Sequence, residues 1–364
     1  MSMLKTIDKY IIKKYLFTFT FVMMAFALIT IIVDFTEKVE ELIASQLSVR
    51  EIITQYYIPF ALWINPLLFH LYALITVIFF TSRMAYNSEI IAMLSAGMSL
   101  RRILRPYLLA AGFLAGLLFV GNHYLIPRTN STRINFEYTY IWKSEDHGKV
   151  KNVNLFLKPD VKAYVRYFRK RDSTALDLRI EKIEGNQITS ILKAKSAKWI
   201  GPPRRWRLLN YEIRTFDGAR ETWFREEKEP LDTALGLRLS DFVYFQNQKD
   251  AMTSPEIRAF IPREHRRGLI NTLPYEIELA RRTADPFTLI ILTIIGFALA
   301  SRKVRGGMGL HLAMGIGLGA ALIFLSRFSA TFAANEAMPV WLGIWLPNII
   351  FGIVAIIVFR KAQR

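Results

Sequence analysis

Residues 15–33, YLFTFTFVMMAFALITIIV, contain no Asp, Glu, Lys or Arg and no proline. At 1.5 Å per residue a helix of these residues covers about 28 Å, close to the ~30 Å hydrocarbon core of a bilayer. The stretch therefore reads as a membrane span. It follows too many charged residues for a cleaved secretion signal and lacks a small-residue cleavage site, so a retained helix is expected. Five more uncharged runs follow, at 52–82, 106–127, 286–301, 306–326 and 337–359. The run at 52–82 is over-long and carries Pro59, Asn65 and Pro66, which predicts a kink or an interfacial turn. The run at 286–301 is short and is expected to extend upstream through 274–285, its charges facing protein or water. Six spans result.

The composition agrees. Hydrophobic residues make up 52% of the 364 residues, charged residues 21%, and mean hydropathy is +0.23. There are no cysteines, which excludes disulfide frameworks, thiolate zinc sites, iron–sulfur ligation and cysteine nucleophiles. The net charge of +18 is largely a set of topology signals. Lys5, Lys9, Lys13 and Lys14 precede span one; Arg83, Arg101, Arg102 and Arg105 lie between spans two and three. Arg302, Lys303 and Arg305 join spans four and five, and Arg360, Lys361 and Arg364 follow span six. The short loops opposite hold only Lys38, Arg50 and Arg327, among acidic residues. The positive-inside rule then places both termini in the cytoplasm, and the interval 128–271 outside it. Nucleic acid is rejected as a partner, because the remaining positive charge falls in that outer interval.

Within 128–271 the pattern changes to period two. Val161, Ala163, Val165 and Tyr167 alternate with Lys162, Tyr164, Arg166 and Phe168. Leu176, Leu178 and Ile180 alternate with Asp177, Arg179 and Glu181, followed by a Gly185-Asn186 turn and a return strand from Ile188. Ala194, Ser196 and Lys198 alternate with Lys195, Ala197 and Trp199. Half-buried antiparallel strands follow, so the fold class is membrane α plus β: a six-helix bundle with an inserted antiparallel sandwich or jelly roll. The domains are then 1–127, 128–271 and 272–364.

Catalytic patterns are missing. His70, His123, His147, His265 and His311 show no metal-ligand spacing, and no Gly-x-x-x-x-Gly-Lys-Ser/Thr loop exists. Ser190-Ile191-Leu192-Lys193 matches a serine–lysine tetrad in letters only. No cofactor is expected. Gly112 with Gly116, and Gly315 with Gly319, are small-residue pairs that permit close helix contact. The segment 86–97 is more specific. Asn87 and Ser88 are capping residues, Glu89 suits the positive end of a helix dipole, Ile90, Ile91, Met93 and Leu94 form an apolar face, and Gly97 ends the helix. Such a helix either docks into a partner or rests on lipid head groups.

Tyr86-Asn87-Ser88-Glu89-Ile90-Ile91-Ala92-Met93-Leu94-Ser95-Ala96-Gly97 resembles the coupling segment of the LptF/LptG permeases that export lipopolysaccharide. Ala194-Lys195-Ser196-Ala197-Lys198-Trp199 with Trp206-Arg207-Leu208-Leu209-Asn210 is similar to the Ala-x-x-Ala-x-Trp and Trp-x-Leu-x-Asn signature of their outer domain. Glu278-Leu279-Ala280-Arg281-Arg282 resembles the start of their fourth helix, and Trp341-Leu342-Gly343-Ile344-Trp345-Leu346-Pro347-Asn348 the start of their sixth. The resemblance covers nearly the whole chain in order.

It implies a transport permease of the bacterial inner membrane without catalytic residues of its own. A second LptF/LptG-type permease, a cytoplasmic ATPase dimer, a single-span periplasmic bridge protein, lipopolysaccharide and membrane lipid would be its partners. Ser88, Glu89, Ile90, Met93 and Leu94 would form the ATPase contact. Lipid A phosphates call for arginine forks and lysines near the outer surface, which makes Arg128, Arg133, Lys38, Arg281 and Arg282 the candidates. A solvated interfacial anchor is the alternative for each. Family members place a lysine late in the first helix, where this chain has Asp34, with Lys38 one turn on; that departure favours Arg128 and Arg133. The apolar strand faces suit a trough for acyl chains and equally a sandwich core. A mechanotransmission permease, with usually four spans, and a membrane-embedded enzyme of envelope lipids are the competing readings.

Overall fold

A computed structural model describes residues 5–141, 151–169, 172–185, 187–201, 205–218, 220–242, 248–266, 272–302 and 307–363. Asn186, His147, Lys303, Arg305 and Arg364 lie outside the described residues. Among those described, six helices are long and apolar enough to cross a bilayer. They are span one, Thr6–Ala44; span two, Val49–Tyr86; span three, Leu100–Ile141; span four, Leu273–Ala300; span five, Gly309–Ala334; and span six, Val340–Ala362.

Prolines shape two of the spans. Span two opens with a reciprocal cap, in which the Ser48 hydroxyl accepts from the Glu51 amide at 3.3 Å and the Glu51 carboxylate accepts from the Ser48 amide at 3.0 Å. It then passes through a π-turn, Ile53–Tyr57, just before Pro59. Span three does the same: the π-turn Gly121–Leu125 precedes Pro127. A proline has no N–H to give its own i−4 carbonyl and its ring crowds the preceding turn, and a widened turn relieves both. The helix of span three consequently runs through Pro127 to Ile141, so Arg128 and Arg133 stand on it, and the first strand begins only at Lys151.

A buried aromatic column knits four spans. Tyr107 of span three lies between Phe80 of span two (ring centroids 5.1 Å) and Phe297 of span four (4.6 Å), and Tyr15 of span one sits 5.9 Å from Phe80. Their hydroxyls are satisfied in the apolar interior: Tyr15 pairs with Thr293 and Tyr107 with Thr81, each at 3.0 Å. Asn348 of span six ties to span four, donating to the Ala284 carbonyl at 3.0 Å and accepting from Thr288 at 2.6 Å. Only one small-residue pair is used for close approach. A Cβ on Gly315 would strike Ile78, and one on Gly319 would come within 3.1 Å of Leu71, whereas Gly112 and Gly116 face open space.

Among the described residues the insertion holds seven antiparallel strands: β1 (Lys151–Lys158), β2 (Val161–Arg169), β3 (Thr174–Glu184), β4 (Gln187–Gly201), β5 (Arg205–Asp217), β6 (Arg220–Glu226) and β7 (Leu231–Ala234). They pair in sequential order from β1 to β6, with β7 joining β5 beside β6. The tetrad-like Ser190–Lys193 letters lie within β4.

The strand reading needs one correction. Alternation is not continuous; it breaks once in each of β2 to β5, and the breaks line up. Buried side chains are Ala163 and Val165, then Phe168 in place of Tyr167; Ala175 in place of Leu176, then Leu178; Ala194, then Ala197; Trp206 and Leu208, then Tyr211. The skipped positions Arg166, Asp177, Lys195 and Asn210, with Asn152 on β1, form one row across the sheet where regular pairing lapses. Asn152, Asp177 and Asn210, on alternate strands, have φ of 51°, 49° and 50°. Left-handed residues crease the strands, and Asn and Asp tolerate that conformation better than other residues with a Cβ. Flipping the side-chain parity at the crease lets both halves of one sheet turn apolar residues into a single core, completed by Leu235, Leu237 and Phe242. Asn210→Ile should therefore destabilise this unit by about 1–2 kcal/mol relative to Asn210→Gly, read as a lower denaturation midpoint by sheet-specific hydrogen exchange. Equal midpoints would mean that the crease carries no strain.

Candidate functional site

The short helix Glu89–Ser95 stands between spans two and three. Its capping differs from expectation. Ser88 adopts a left-handed conformation (φ 62°), and its hydroxyl makes no cap bond. The far end follows the sequence: Gly97 has φ 81°, its amide bonds the Leu94 carbonyl, and the Met98 amide reaches back to Met93. That is a Schellman stop, for which glycine is the low-strain residue. Ser99 then caps span three, accepting from the Arg102 amide at 3.3 Å.

The apolar face divides. Ile90 is fully buried in a cluster that contains Ile11, Tyr15 and Tyr107, and Met93 packs against that cluster. Ile91 and Leu94 remain 49% and 41% exposed, so these two carry the free apolar surface. Glu89 is only partly exposed. Tyr10 donates to its carboxylate at 3.1 Å and the Lys14 ammonium lies 3.8 Å away.

At the Ala44 end of span one a second constellation forms. Lys38 pairs with Asp34 at 2.7 Å and with Glu137 at 3.1 Å, and also donates to the Tyr56 hydroxyl. Tyr56 in turn donates to Asp34 at 2.8 Å. Arg133 pairs with Glu137 at 2.8 Å, donates to Asn130 at 2.9 Å and lies 4.2 Å over the Trp63 ring. Two cations and two carboxylates thus balance in a largely buried site that joins spans one, two and three.

The other candidate cations divide in the same way. Arg282 is buried, bonded to Glu278 at 2.9 Å, to the Met252 carbonyl at 2.8 Å and to Ser254 at 3.2 Å. Arg281 is half-buried and takes the other Glu278 oxygen at 2.7 Å. Arg128 is exposed and makes no ion pair among the described residues. Tyr10, Tyr56 and Glu137 are not among the candidates drawn from the sequence. The available signal was opposite charges at i, i+4 inside apolar helices (Asp34 with Lys38, Arg133 with Glu137), which face protein rather than lipid.

Six spans, an inserted creased sheet and a short helix between two spans define a multi-pass membrane protein. A family model for the lipopolysaccharide export system permease LptF/LptG matches residues 9–361, and the chain belongs to that family. Permeases of this family are transmembrane subunits of an ABC transporter and lack an ATPase domain. No curated protein matches the chain.

Proposed function

We propose that this permease lifts lipopolysaccharide from the outer leaflet of the bacterial inner membrane, with both termini cytoplasmic and the 128–271 interval periplasmic. A cytoplasmic ATPase dimer drives it through the Glu89–Ser95 helix, a second LptF/LptG-type permease stands beside it, and a single-span periplasmic bridge protein receives the lipid from the sheet domain. The clustering of Lys and Arg at the termini and beside the short helix supports this orientation. An energy source is required because each buried methylene is worth ~0.8 kcal/mol, so one acyl chain of about ten methylenes resists extraction by roughly 8 kcal/mol.

The observation that carries the coupling assignment is the split face of the short helix, anchored by Ile90 and presenting Ile91, Leu94 and part of Glu89. Glu89→Ala should weaken co-purification of the ATPase roughly ten- to a hundredfold, the value of about 1.5–3 kcal/mol for a bond to a charged group. Unchanged assembly and unchanged lipid release would refute it. For the substrate phosphates, Arg128 is the first choice, since Lys38, Arg133 and Arg282 already have carboxylate partners and Arg281 shares one. Arg128→Glu should lower photo-crosslinking to lipopolysaccharide with ATPase assembly intact, and unchanged crosslinking would count against it.

A further inference from the structure

We propose that span one is driven directly by the short helix, through a clasp formed by Asp8, Tyr10 and Lys14, and that these are positioning residues for transport. The inference rests on the reading of Glu89–Ser95 as the ATPase contact. In the chain the short helix is continuous with spans two and three, yet the polar ties of Glu89, and of Arg102 beyond the helix, run to span one, more than 70 residues away. The Asp8 carboxylate takes both terminal nitrogens of Arg102, at 2.6 and 2.7 Å, and is itself buried. Arg102 lies in the first turn of span three, just beyond the Schellman stop. Two and six residues further along span one, Tyr10 and Lys14 hold Glu89, and Lys14 also donates to the Tyr10 hydroxyl at 2.7 Å. Between these polar grips Ile11 and Ile90 are both fully buried in one cluster. Span one therefore grips the short helix at its first residue, Glu89, and the first turn of span three at Arg102, seven residues past the short helix's end.

A bidentate arginine–carboxylate pair fixes orientation as well as distance, so the start of span one moves with the first turn of span three, while Glu89 and Ile90 tie it to the short helix itself. Beyond the clasp Tyr15 and Phe19 hold the span in the buried cluster, and past Phe19 its packing thins. No residue from 20 to 33 is fully buried, and Phe17, Phe21 and Leu28 are 73%, 65% and 61% exposed. From Phe19, which with Tyr15 lies in the buried cluster, the next firm attachment is Asp34, about 22 Å further along a helix of 1.5 Å rise. Span one is thus a rod held firmly over residues 8–19 and again at Asp34, and lightly packed between, which carries motion of the ATPase contact to the far side of the bundle.

The test uses the complete transporter with its ATPase, reconstituted in vesicles containing lipopolysaccharide, and reads lipid released per ATP hydrolysed. Asp8→Asn, and Tyr10→Phe combined with Lys14→Gln, should each lower this ratio at least fivefold, while ATPase co-purification stays within twofold of wild type. The exchange Asp8→Arg with Arg102→Asp should restore the ratio to within twofold of wild type, and it decides the matter even if either single change fails to assemble. An unchanged ratio in the first two variants, or an exchange variant that is not restored, would overturn the clasp. Failure of the underlying coupling reading shows separately, as normal ATPase association in Glu89→Ala.

Discussion

Glu137→Leu is expected to destabilise the helical bundle by about 3–5 kcal/mol, the usual cost of stranding buried charge. Glu137 is 4% exposed, and its two oxygens serve different cations from different helices, Lys38 of span one and Arg133 of its own span three. Leucine fills similar volume but leaves Arg133 with only the Asn130 amide oxygen and the Trp63 ring, and Lys38 with Asp34 and Tyr56. The cluster would then carry a net positive charge where the bilayer and the packed helices supply little screening. Arg133→Met/Glu137→Leu removes one charge of each sign and the desolvation penalty of both. The double variant should therefore regain more than half of the lost stability, a coupling that a double-mutant cycle on detergent-solubilised protein measures. Additive losses would show that the two side chains act independently. With this balance of charges, an anionic head group reaching Lys38 or Arg133 would first have to displace Glu137 or Asp34.

The membrane architecture was legible in the sequence because hydrocarbon excludes charge, so uncharged stretches of about 20 residues mark spans directly. The uncharged run of span three stops at Pro127 because Arg128 follows, whereas the helix continues to Ile141. A proline normally stops a helix, but a π-turn placed just before it allowed the helix to continue to Ile141. The site residues were legible by type and not by partner. Lys38 and Arg133 stand out as cations near a membrane face, yet only the helix contacts reveal that Tyr56 and Glu137 lie against them. The signature Ala-x-x-Ala-x-Trp shows why period two failed in the strands. Ala194 and Ala197 are three apart and both face the core, because Lys195 sits on the crease that flips parity between them. In Trp206-x-Leu208-x-Asn210 the first two residues fill the core and the third is the left-handed bend itself. A spacing of three between core residues in a strand was the sign of the crease.

Trp206→Ala should be the most damaging single change in the sheet unit. Its indole has zero exposed surface, meets Trp199 edge-on at 5.5 Å and Phe242 at 6.1 Å, and donates from Nε1 to the Leu237 carbonyl at 3.1 Å. Phe242 is stacked in turn on Phe168 at 4.1 Å, so the indole supports the residues that close the core from both halves of the creased sheet. Truncation removes about 3–5 kcal/mol of packing and leaves a buried carbonyl without its donor, worth a further 1–3 kcal/mol or so. Against a typical domain stability of roughly 5–15 kcal/mol, that sum is enough to open the sheet for a substantial fraction of the time. Trp206→Phe keeps most of the volume and loses the donor, so its cost should be near the carbonyl term alone. Hydrogen exchange separates the cases: in Trp206→Ala the amides of β4 and β5 lose protection by orders of magnitude, while those of spans two and four keep theirs, because the two compact units have separate cores. Equal loss of protection in both units would mean that they fold as one cooperative body, and undiminished protection in β4 and β5 would remove Trp206 from the centre of the sheet core.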